Sequence, residues 1–334
     1  MGSELYPYVL APKETTAIWG GESWKCWDAN LVLNGALAGR SIADLRASQG
    51  TKLLGRFDPK RIFPVLTKTI DARDSLSVQV HPNDAYAQRV EHQPNGKTEC
   101  WYVLSAKPDA QIVLGWTRET SRKEYEQRVA DGTLGDVLRS VPAKAGDAFY
   151  LPAGTLHAIG PGIVLFETQQ ASDLTYRIFD WNRVGADGQP RRLDVAKAAD
   201  VLNYRAGTAG ALTPISYTFE TLERTALVAG PNFSVERAIA TSEPATLALR
   251  GRPLVMMPLD APIALVCDDG EARVAQDEAA IVPAGARHCS VAASDGDPAA
   301  FMLVTPLHAK EEFSAELVAA GVEHARVDEF MRQF

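Results

Sequence analysis

The segment from Ser75 to His81 alternates polar and apolar residues, which is typical of a β-strand with two different faces. Ser77, Gln79 and His81 share one of these faces, because successive side chains of a strand point to opposite sides. That face is polar where a strand of an ordinary core would be apolar. The segment therefore predicts a β fold and places polar chemistry inside it.

Two further segments carry side chains that could join this face. Glu99 opens the apolar run 100–104, and His157 follows a Pro-Ala-Gly turn after another strand-like run. Together with Gln79 and His81, they would bring four nitrogen and oxygen ligands from three neighbouring strands. Such a set suits one zinc ion per chain and leaves room for water or substrate. We therefore predict a single metal site at these four residues.

Short strand-like runs separated by turn residues dominate the chain. Before residue 192 the predicted strands are 63–70, 75–81, 99–105, 111–116, 147–151, 163–167 and 175–181. A helical excursion is predicted at about 120–140, where Thr120 or Ser121 can cap a helix and Glu124 stands three residues after Ser121, as in a capping box. A second β-rich segment spans 215–306 and a helix-prone tail spans 310–334. The pattern predicts a mainly β chain.

The length of 334 residues exceeds one typical core and indicates two domains. We predict an N-terminal barrel in 1–192, a linking helix in 193–212, and a second barrel with a tail in 213–334. A Pro-Ala-Gly turn before His288 echoes the turn before His157, which favours a duplicated barrel. The second copy lacks the Gln-x-His and Lys-x-Glu pairs, so no metal is expected there. Two antiparallel jelly-roll barrels, as in cupins, fit this organisation.

The charge and cysteine content limit the classes of partner. A formal net charge of -8 argues against nucleic acid, whose phosphates require clustered Lys and Arg. It leaves an anionic small substrate open, since a few local cations can hold one phosphate. The four cysteines form no C-x-x-C pair, the N-terminus has no signal-peptide pattern, and no apolar run approaches the ~20 residues of a membrane helix. We expect a reduced, cytoplasmic, soluble protein with no membrane partner.

Three segments resemble the type I mannose-6-phosphate isomerases, and most closely their short bacterial form. These segments are 75–82, 96–104 and 149–157; the segments 18–24 and 167–181 are also similar. The similarity covers most of 15–185 in the right order and is faint over 215–334. It implies a zinc-dependent aldose-ketose isomerase that interconverts mannose 6-phosphate and fructose 6-phosphate by proton transfer through an enediol intermediate.

The resemblance also implies roles for individual residues. The family's zinc set of Gln, His, Glu and His is present as the four residues named above. Ser77 and Lys97 would face the substrate phosphate, and Glu167 and Arg177 would line the reacting end of the sugar. The chain departs from the family at Cys100, where methionine is common.

The catalytic base stays open between three groups. Glu167 is the first candidate, because burial can raise the pKa of a carboxylate towards neutrality. Lys97 is the alternative if it reaches inward, since it shares a strand face with Glu99. A zinc-bound hydroxide is the third.

Three other points stay open at this stage. A non-catalytic sugar-binding or regulatory cupin would keep the barrel without needing Lys97 or Arg177. A different metal enzyme, such as an iron oxygenase, would favour more histidines than this ligand set contains. The native metal, the exact aldose and the choice between monomer and homodimer do not follow from the sequence.

Overall fold

A computed structural model describes residues 4–184, 188–296, 298–306 and 310–334. The strands are β1 (Tyr8–Leu10), β2 (Lys13–Ala17), β3 (Gly20–Cys26), β4 (Val65–Ala72), β5 (Val78–Val80), β6 (Glu99–Ala106), β7 (Gln111–Trp116), β8 (Leu138–Pro142), β9 (Ala148–Leu151), β10 (His157–Ile159), β11 (Ile163–Gln170), β12 (Tyr176–Phe179), β13 (Ile215–Phe219), β14 (Leu222–Ala229), β15 (Phe233–Ala240), β16 (Ala245–Thr246), β17 (Leu254–Pro258), β18 (Ile263–Cys267), β19 (Gly270–Val274), β20 (Ala279–Val282), β21 (Cys289–Ala293) and β22 (Ala299–Pro306). The helices are α1 (Ile42–Gln49), α2 (Thr51–Leu54), α3 (Asp84–Tyr86), α4 (Arg122–Ala130), α5 (Val195–Val201), α6 (Lys310–Ala319) and α7 (His324–Met331). The predicted mainly β fold is confirmed.

The described residues form two compact units. One contains 15–22 and 69–212, and the other contains 4–14, 23–68 and 213–334, each without its undescribed residues. This grouping cuts across the predicted bounds of 1–192 and 213–334. The reason is that β1 pairs antiparallel with β20, so an N-terminal strand completes a sheet of C-terminal strands. The linear bounds remain a prediction about the order of the two barrels along the chain.

In the unit that contains 69–212, two antiparallel sheets enclose an apolar cluster. One sheet has the order β12-β5-β10-β7-β8, and the other contains β4, β11, β6 and β9 in that order. Ile112 of the first sheet and Trp101, Phe149 and Leu165 of the second belong to the same buried cluster. The cluster shows that the inner faces of the two sheets pack together, as in a jelly roll.

A helical layer covers the five-stranded sheet of this unit. The Ser121 hydroxyl accepts a hydrogen bond from the Glu124 backbone N–H at 3.2 Å and caps α4, as predicted. A short 3-10 helix, Leu134–Val137, follows, and the last part of the predicted excursion is strand β8. The linking helix α5 is shorter than the predicted 193–212, because Leu202 adopts an extended backbone and ends it.

The other unit has the same two-sheet plan with an apolar interior. Its sheets have the orders β1-β20-β17-β22-β15-β14-β13 and β16-β21-β18-β19. Met256 and Phe301 of the larger sheet and Leu265 and Val291 of the smaller one pack in one buried cluster. His288, after the echoed turn, is exposed. The tail forms α6 and α7, whose apolar side chains pack on β13 and β14.

Helices in the described part of the chain are short or polar. None of them is long and apolar enough to cross a membrane. The longest, α6, has ten residues, whereas about 20 apolar residues are needed to span a bilayer.

Candidate metal centre

Strand β5 carries the predicted polar face and lies between β12 and β10. In the antiparallel register, Gln79 is opposite both His157 of β10 and Arg177 of β12. Directly opposed residues project to the same side of a sheet, so these three side chains share a face. Ser77 and His81 flank β5 two residues on either side of Gln79 and continue this face.

The facing sheet supplies the carboxylates. Glu99 and Trp101 lie two residues apart on β6, and Gln169 and Glu167 of β11 are their cross-strand partners. All four side chains are therefore on one face, and each is at most 2% exposed. A buried face with this many polar groups differs from an ordinary barrel core and meets the polar face of β5.

His81, Glu99 and His157 bring their ligand atoms within 4.8 Å of one another. His81 Nε2 lies 3.1 Å from Glu99 Oε1, and His157 Nε2 lies 3.4 Å from Glu99 Oε2. In the described part of the chain, this is the one group of three or more His, Cys, Asp or Glu residues that converges in this way. Three of the four predicted metal ligands therefore meet, and Gln79 lies beside His157 in the sheet.

Backbone carbonyls set the orientation of both imidazoles. His81 Nδ1 is 2.8 Å from the Leu174 carbonyl oxygen, and His157 Nδ1 is 2.8 Å from the Thr155 carbonyl oxygen. A carbonyl only accepts hydrogen bonds, so each Nδ1 carries a proton and donates, and each ring turns its Nε2 towards Glu99. Burial, followed by the charge of Lys97, lowers the pKa of His81 to about 3, which keeps its ring neutral.

This arrangement fits a metal ion. Two imidazole Nε2 atoms and a carboxylate converge in a buried space, and donors of this kind are the ligands that a divalent metal ion binds. Metal-bound histidines in proteins usually donate their other ring N–H to a carbonyl or carboxylate, as both rings do here. Nitrogen and oxygen donors of this kind suit a borderline ion such as zinc.

Lys97 lies directly at the cluster. Its Nζ is 2.7 Å from Glu99 Oε1 and 3.4 Å from His81 Nε2, and the residue is 5% exposed. Burial acts to raise the pKa of the Glu99 carboxyl, but interactions led by the charge of Lys97 outweigh it and hold this pKa well below its usual range. The ammonium thus faces the predicted ligands, in agreement with the inward alternative of the sequence analysis.

Trp101 contacts two of the predicted site residues, a role that its sequence pattern did not reveal. Its indole Nε1 donates a hydrogen bond to Glu167 Oε2 at 3.2 Å. Its ring meets the His157 ring edge to face, with centroids 5.3 Å apart. The available signal was its spacing, because a residue two positions after Glu99 on a strand shares the face of Glu99.

Gln169 is a second buried polar residue that the sequence analysis did not assign. Its side-chain amide nitrogen donates to the carbonyl oxygens of Gln170 and Ser172. These two acceptors determine which end of the amide is nitrogen. Its Oε1 is buried and has no hydrogen-bond partner among the residues that the structure describes. Because Gln169 is the cross-strand partner of Glu99, it adds an acceptor beside the cluster.

Arg177 connects the polar face of β5, which carries predicted metal ligands and is called the metal face below, to a group of cations. Its Nε donates a hydrogen bond to Ser77 Oγ at 3.2 Å. Burial and then the charge of Arg191 lower the pKa of Arg177. Arg191 and Arg183 both form ion pairs with Asp180. Unlike the buried cluster, Arg177 is partly exposed, so it can reach a solute.

A cleft of about 460 Å³ lies on the opposite face of the same sheet. Val113 and Ala158, which line it, are cross-strand partners on β7 and β10, whereas His157 pairs with Leu114 on the metal face. The cleft contains none of the predicted site residues. Because the cleft lies on the other face of the sheet, we assign the candidate site to the buried cluster and not to the cleft.

Comparisons with known proteins point to one enzyme family. The family model "Phosphomannose isomerase type I, catalytic domain" matches residues 4–114. The mannose-6-phosphate isomerase of Streptococcus mutans is 43% identical over 225 residues, which cover 67% of this chain and 69% of that protein. A mannose-6-phosphate isomerase of Bacillus subtilis is 38% identical over 216 residues, 59% of this chain and 68% of that protein.

Solved structures give the same result for the fold. The crystal structure of mannose 6-phosphate isomerase from Bacillus subtilis matches with a TM-score of 0.79 and 27% identity, covering 89% of this chain and 99% of that one. A putative mannosephosphate isomerase from Archaeoglobus fulgidus matches in fold, with a TM-score of 0.70, 20% identity and coverage of 91% and 99%. The chain therefore belongs to the type I mannose-6-phosphate isomerase family.

Proposed function

We propose that this chain interconverts mannose 6-phosphate and fructose 6-phosphate as a zinc-dependent aldose-ketose isomerase. The observation that carries the proposal is the convergence of His81 Nε2 and His157 Nε2 on the buried carboxylate of Glu99. Family membership supports the substrate, because the relatives are named for it. Sugar phosphates are metabolites of the cytoplasm, which is where we place the enzyme.

Gln79, His81, Glu99 and His157 would hold the metal. A bound divalent ion would act as a Lewis acid on the carbonyl oxygen of the open-chain sugar. Gln79 belongs to this set because it is directly opposite His157 and on the same face. The carbonyls of Leu174 and Thr155 keep both imidazoles in the orientation that coordination requires.

Glu167 is our candidate for the base that moves the proton between C1 and C2 of the sugar. It lies on the inner face with Glu99, and Trp101 holds one of its oxygens. A buried carboxylate that an indole N–H holds in place is positioned to accept a proton. The proton leaves one carbon, an enediol forms on the sugar, and the same carboxyl returns the proton to the neighbouring carbon.

Lys97 acts at the reacting end of the sugar in this proposal. Its ammonium contacts Glu99 and His81 and is buried with them, so it is placed to stabilise negative charge on the sugar oxygens. It remains the second candidate for the base. The role first expected for Lys97, contact with the phosphate, receives no support from this position.

Arg177 and Ser77 would hold the other parts of the substrate. Arg177 lies opposite Gln79 and adds fixed positive charge beside the metal, where charge develops in the transition state. Ser77 is two residues from Gln79, or about 7 Å along the strand. A phosphate at Ser77 would therefore lie well away from the metal, as the distance between C1 and C6 of an extended sugar requires.

An isomerase assay with and without a chelator tests the proposed function. The purified protein is incubated with fructose 6-phosphate, and mannose 6-phosphate is measured before chelation, after chelation and after zinc is restored. We expect turnover that the chelator abolishes and zinc recovers. Binding of fructose 6-phosphate without any turnover would instead indicate a sugar-binding module and overturn the proposal.

A further inference from the structure

Two cysteines face each other inside the unit that contains 213–334. Cys267 ends β18 and Cys289 begins β21, and the antiparallel register pairs them directly. Their Sγ atoms are 2.7 Å apart, although the residues are 22 positions apart in the chain. Both residues are buried, at 7% and 2% exposure. Two thiols are thus held in contact by the sheet rather than by sequence proximity.

The alternation of both strands turns these side chains inward. Cys267 shares its face with Leu265, and Cys289 shares its face with Val291, all in one apolar cluster. The residues next to the two cysteines are also held together. Asp268, which follows Cys267, accepts hydrogen bonds from the backbone N–H groups of Arg287 and His288 at 2.5 and 3.3 Å, just before Cys289. The ends of the two strands are therefore held in register where the cysteines meet.

We propose that Cys267 and Cys289 form a reversible disulfide and act as a redox-dependent staple of this unit. Directly opposed strand residues have Cα atoms about 4.5–5.5 Å apart. Disulfides need a Cα separation of about 4.4–6.8 Å. The bond can therefore close by rotation of the two side chains without a change in strand pairing.

Oxidised glutathione, a small disulfide, can serve as the oxidant that accepts the two electrons. The thiolate of Cys267, the more exposed of the two, attacks one glutathione sulfur and releases one glutathione thiol. The thiolate of Cys289 then attacks the sulfur of Cys267 and releases the second glutathione thiol. The protein loses two protons and two electrons, and one oxidised glutathione becomes two reduced molecules. A dithiol reductant reverses both steps.

The disulfide would close a loop that contains β19 and β20. Such a cross-link lowers the entropy of the unfolded chain and raises stability. For a loop of this length, we expect the thermal midpoint to rise on the order of 5–10 °C on oxidation. The effect reverses with reduction, so the stability of the unit follows the thiol redox potential of its surroundings.

The test uses the full-length protein treated with oxidised or reduced glutathione. Peptide mapping under non-reducing conditions should find Cys267 joined to Cys289 after oxidation. Thermal unfolding of the same samples should show a higher midpoint in the oxidised state, and dithiothreitol should abolish the difference.

Single variants provide the controls. C267S and C289S should each lose the oxidation-dependent midpoint shift, whereas C26S, which removes another buried thiol, should retain it. If either serine variant folds poorly, mapping of the wild-type protein still decides the outcome. Three results would overturn the proposal. The first is that both thiols can still be alkylated when the protein is oxidised in the folded state and then denatured. The others are stable glutathione adducts on the two cysteines, or a cross-link that forms without any shift in the thermal midpoint.

Discussion

The indole of Trp101 donates a hydrogen bond to Glu167 Oε2 at 3.2 Å, while its ring meets the His157 ring in a T-shaped arrangement. One aromatic side chain therefore touches both the proposed base and a proposed metal ligand. We expect Trp101→Phe to keep most of the ring contact and lose the hydrogen bond. The kcat should fall about tenfold while bound metal is unchanged, because a freed carboxylate is less well positioned. Steady-state kinetics and metal analysis check this.

Trp116→Phe is the matched control for that variant. Trp116 is also buried in this unit, and its indole donates to the Asn203 carbonyl oxygen at 2.8 Å, in a different apolar cluster. Both variants lose one buried indole hydrogen bond and part of a ring, so both should lose stability, by about 1–3 kcal/mol. An equal loss of kcat in both variants would show that Trp101 acts through stability alone.

Replacement of His157 should remove the metal. His157→Ala deletes one nitrogen donor, and we expect metal affinity to fall at least a hundredfold, with activity lost in parallel. Metal content after dialysis, measured by mass spectrometry, gives the result. His324→Ala, at an exposed position in α7, should bind metal as the wild type does. Full metal content in His157→Ala would remove this residue from the ligand set.

Arg177 should affect turnover rather than metal binding. Arg177→Ala removes the guanidinium that donates to Ser77 Oγ but no proposed metal ligand, so metal binding should be retained. The kcat should fall by about 10²-fold, the typical loss of a charge that stabilises a transition state. Arg177→Lys keeps a positive charge without the hydrogen-bond geometry of a guanidinium, so it should recover part of the lost kcat. A near-normal kcat in the alanine variant would contradict the assigned role.

Asp180 should make stability depend on acid pH. Burial acts to raise the pKa of its carboxyl, but hydrogen bonds from Arg191 and Arg183 outweigh it, and the net pKa is lowered. A lowered pKa in the folded state gives stability that is present above the unfolded value of about 3.9 and lost as the pH falls through the folded value. Asp180→Asn should cost about 2–3 kcal/mol at pH 7, and the difference from wild type should narrow below pH 4.

Urea unfolding from pH 7 to pH 3 measures this dependence. Asp74→Asn is the control, because Asp74 also pairs with Arg183 but its side chain is 58% exposed, against 5% for Asp180. An exposed pair contributes at most about 1 kcal/mol. A difference from wild type that stays constant across the pH range would mean that Asp180 stabilises the fold in some way other than through its charge.

Much of the candidate metal centre could be predicted from local sequence. Strand periodicity has a period of two, so the shared face of Ser77, Gln79 and His81 follows from their spacing alone. The same reasoning would have included Trp101, two residues after Glu99, if aromatic residues had been weighed as hydrogen-bond donors. Lys97 shows the limit of strand periodicity. Its spacing from Glu99 predicts the correct face, but spacing alone does not say whether its long side chain reaches the predicted metal ligands or the substrate phosphate.

The end of α5 and the sheet that β1 joins could not be predicted from the sequence, for a different reason. Leu193 to Tyr204 has helical propensity, yet the helix ends at Val201, since propensity is a weak preference that tertiary contacts override. The pairing of Tyr8 with Ile281 joins residues from opposite ends of the chain. No local pattern in the sequence encodes such a partner.

The sequence by itself determined the β character of the chain and its family, and it predicted the side chains that we propose as metal ligands. These properties depend on residue type and on spacing of a few positions, which local chemistry controls. Only the tertiary structure decided which strands become neighbours. It therefore decided that Glu99 lies between two histidine nitrogens, that Lys97 contacts it, and that Cys267 meets Cys289. Such contacts depend on long-range strand pairing, and the free energy that selects it is spread over the whole core.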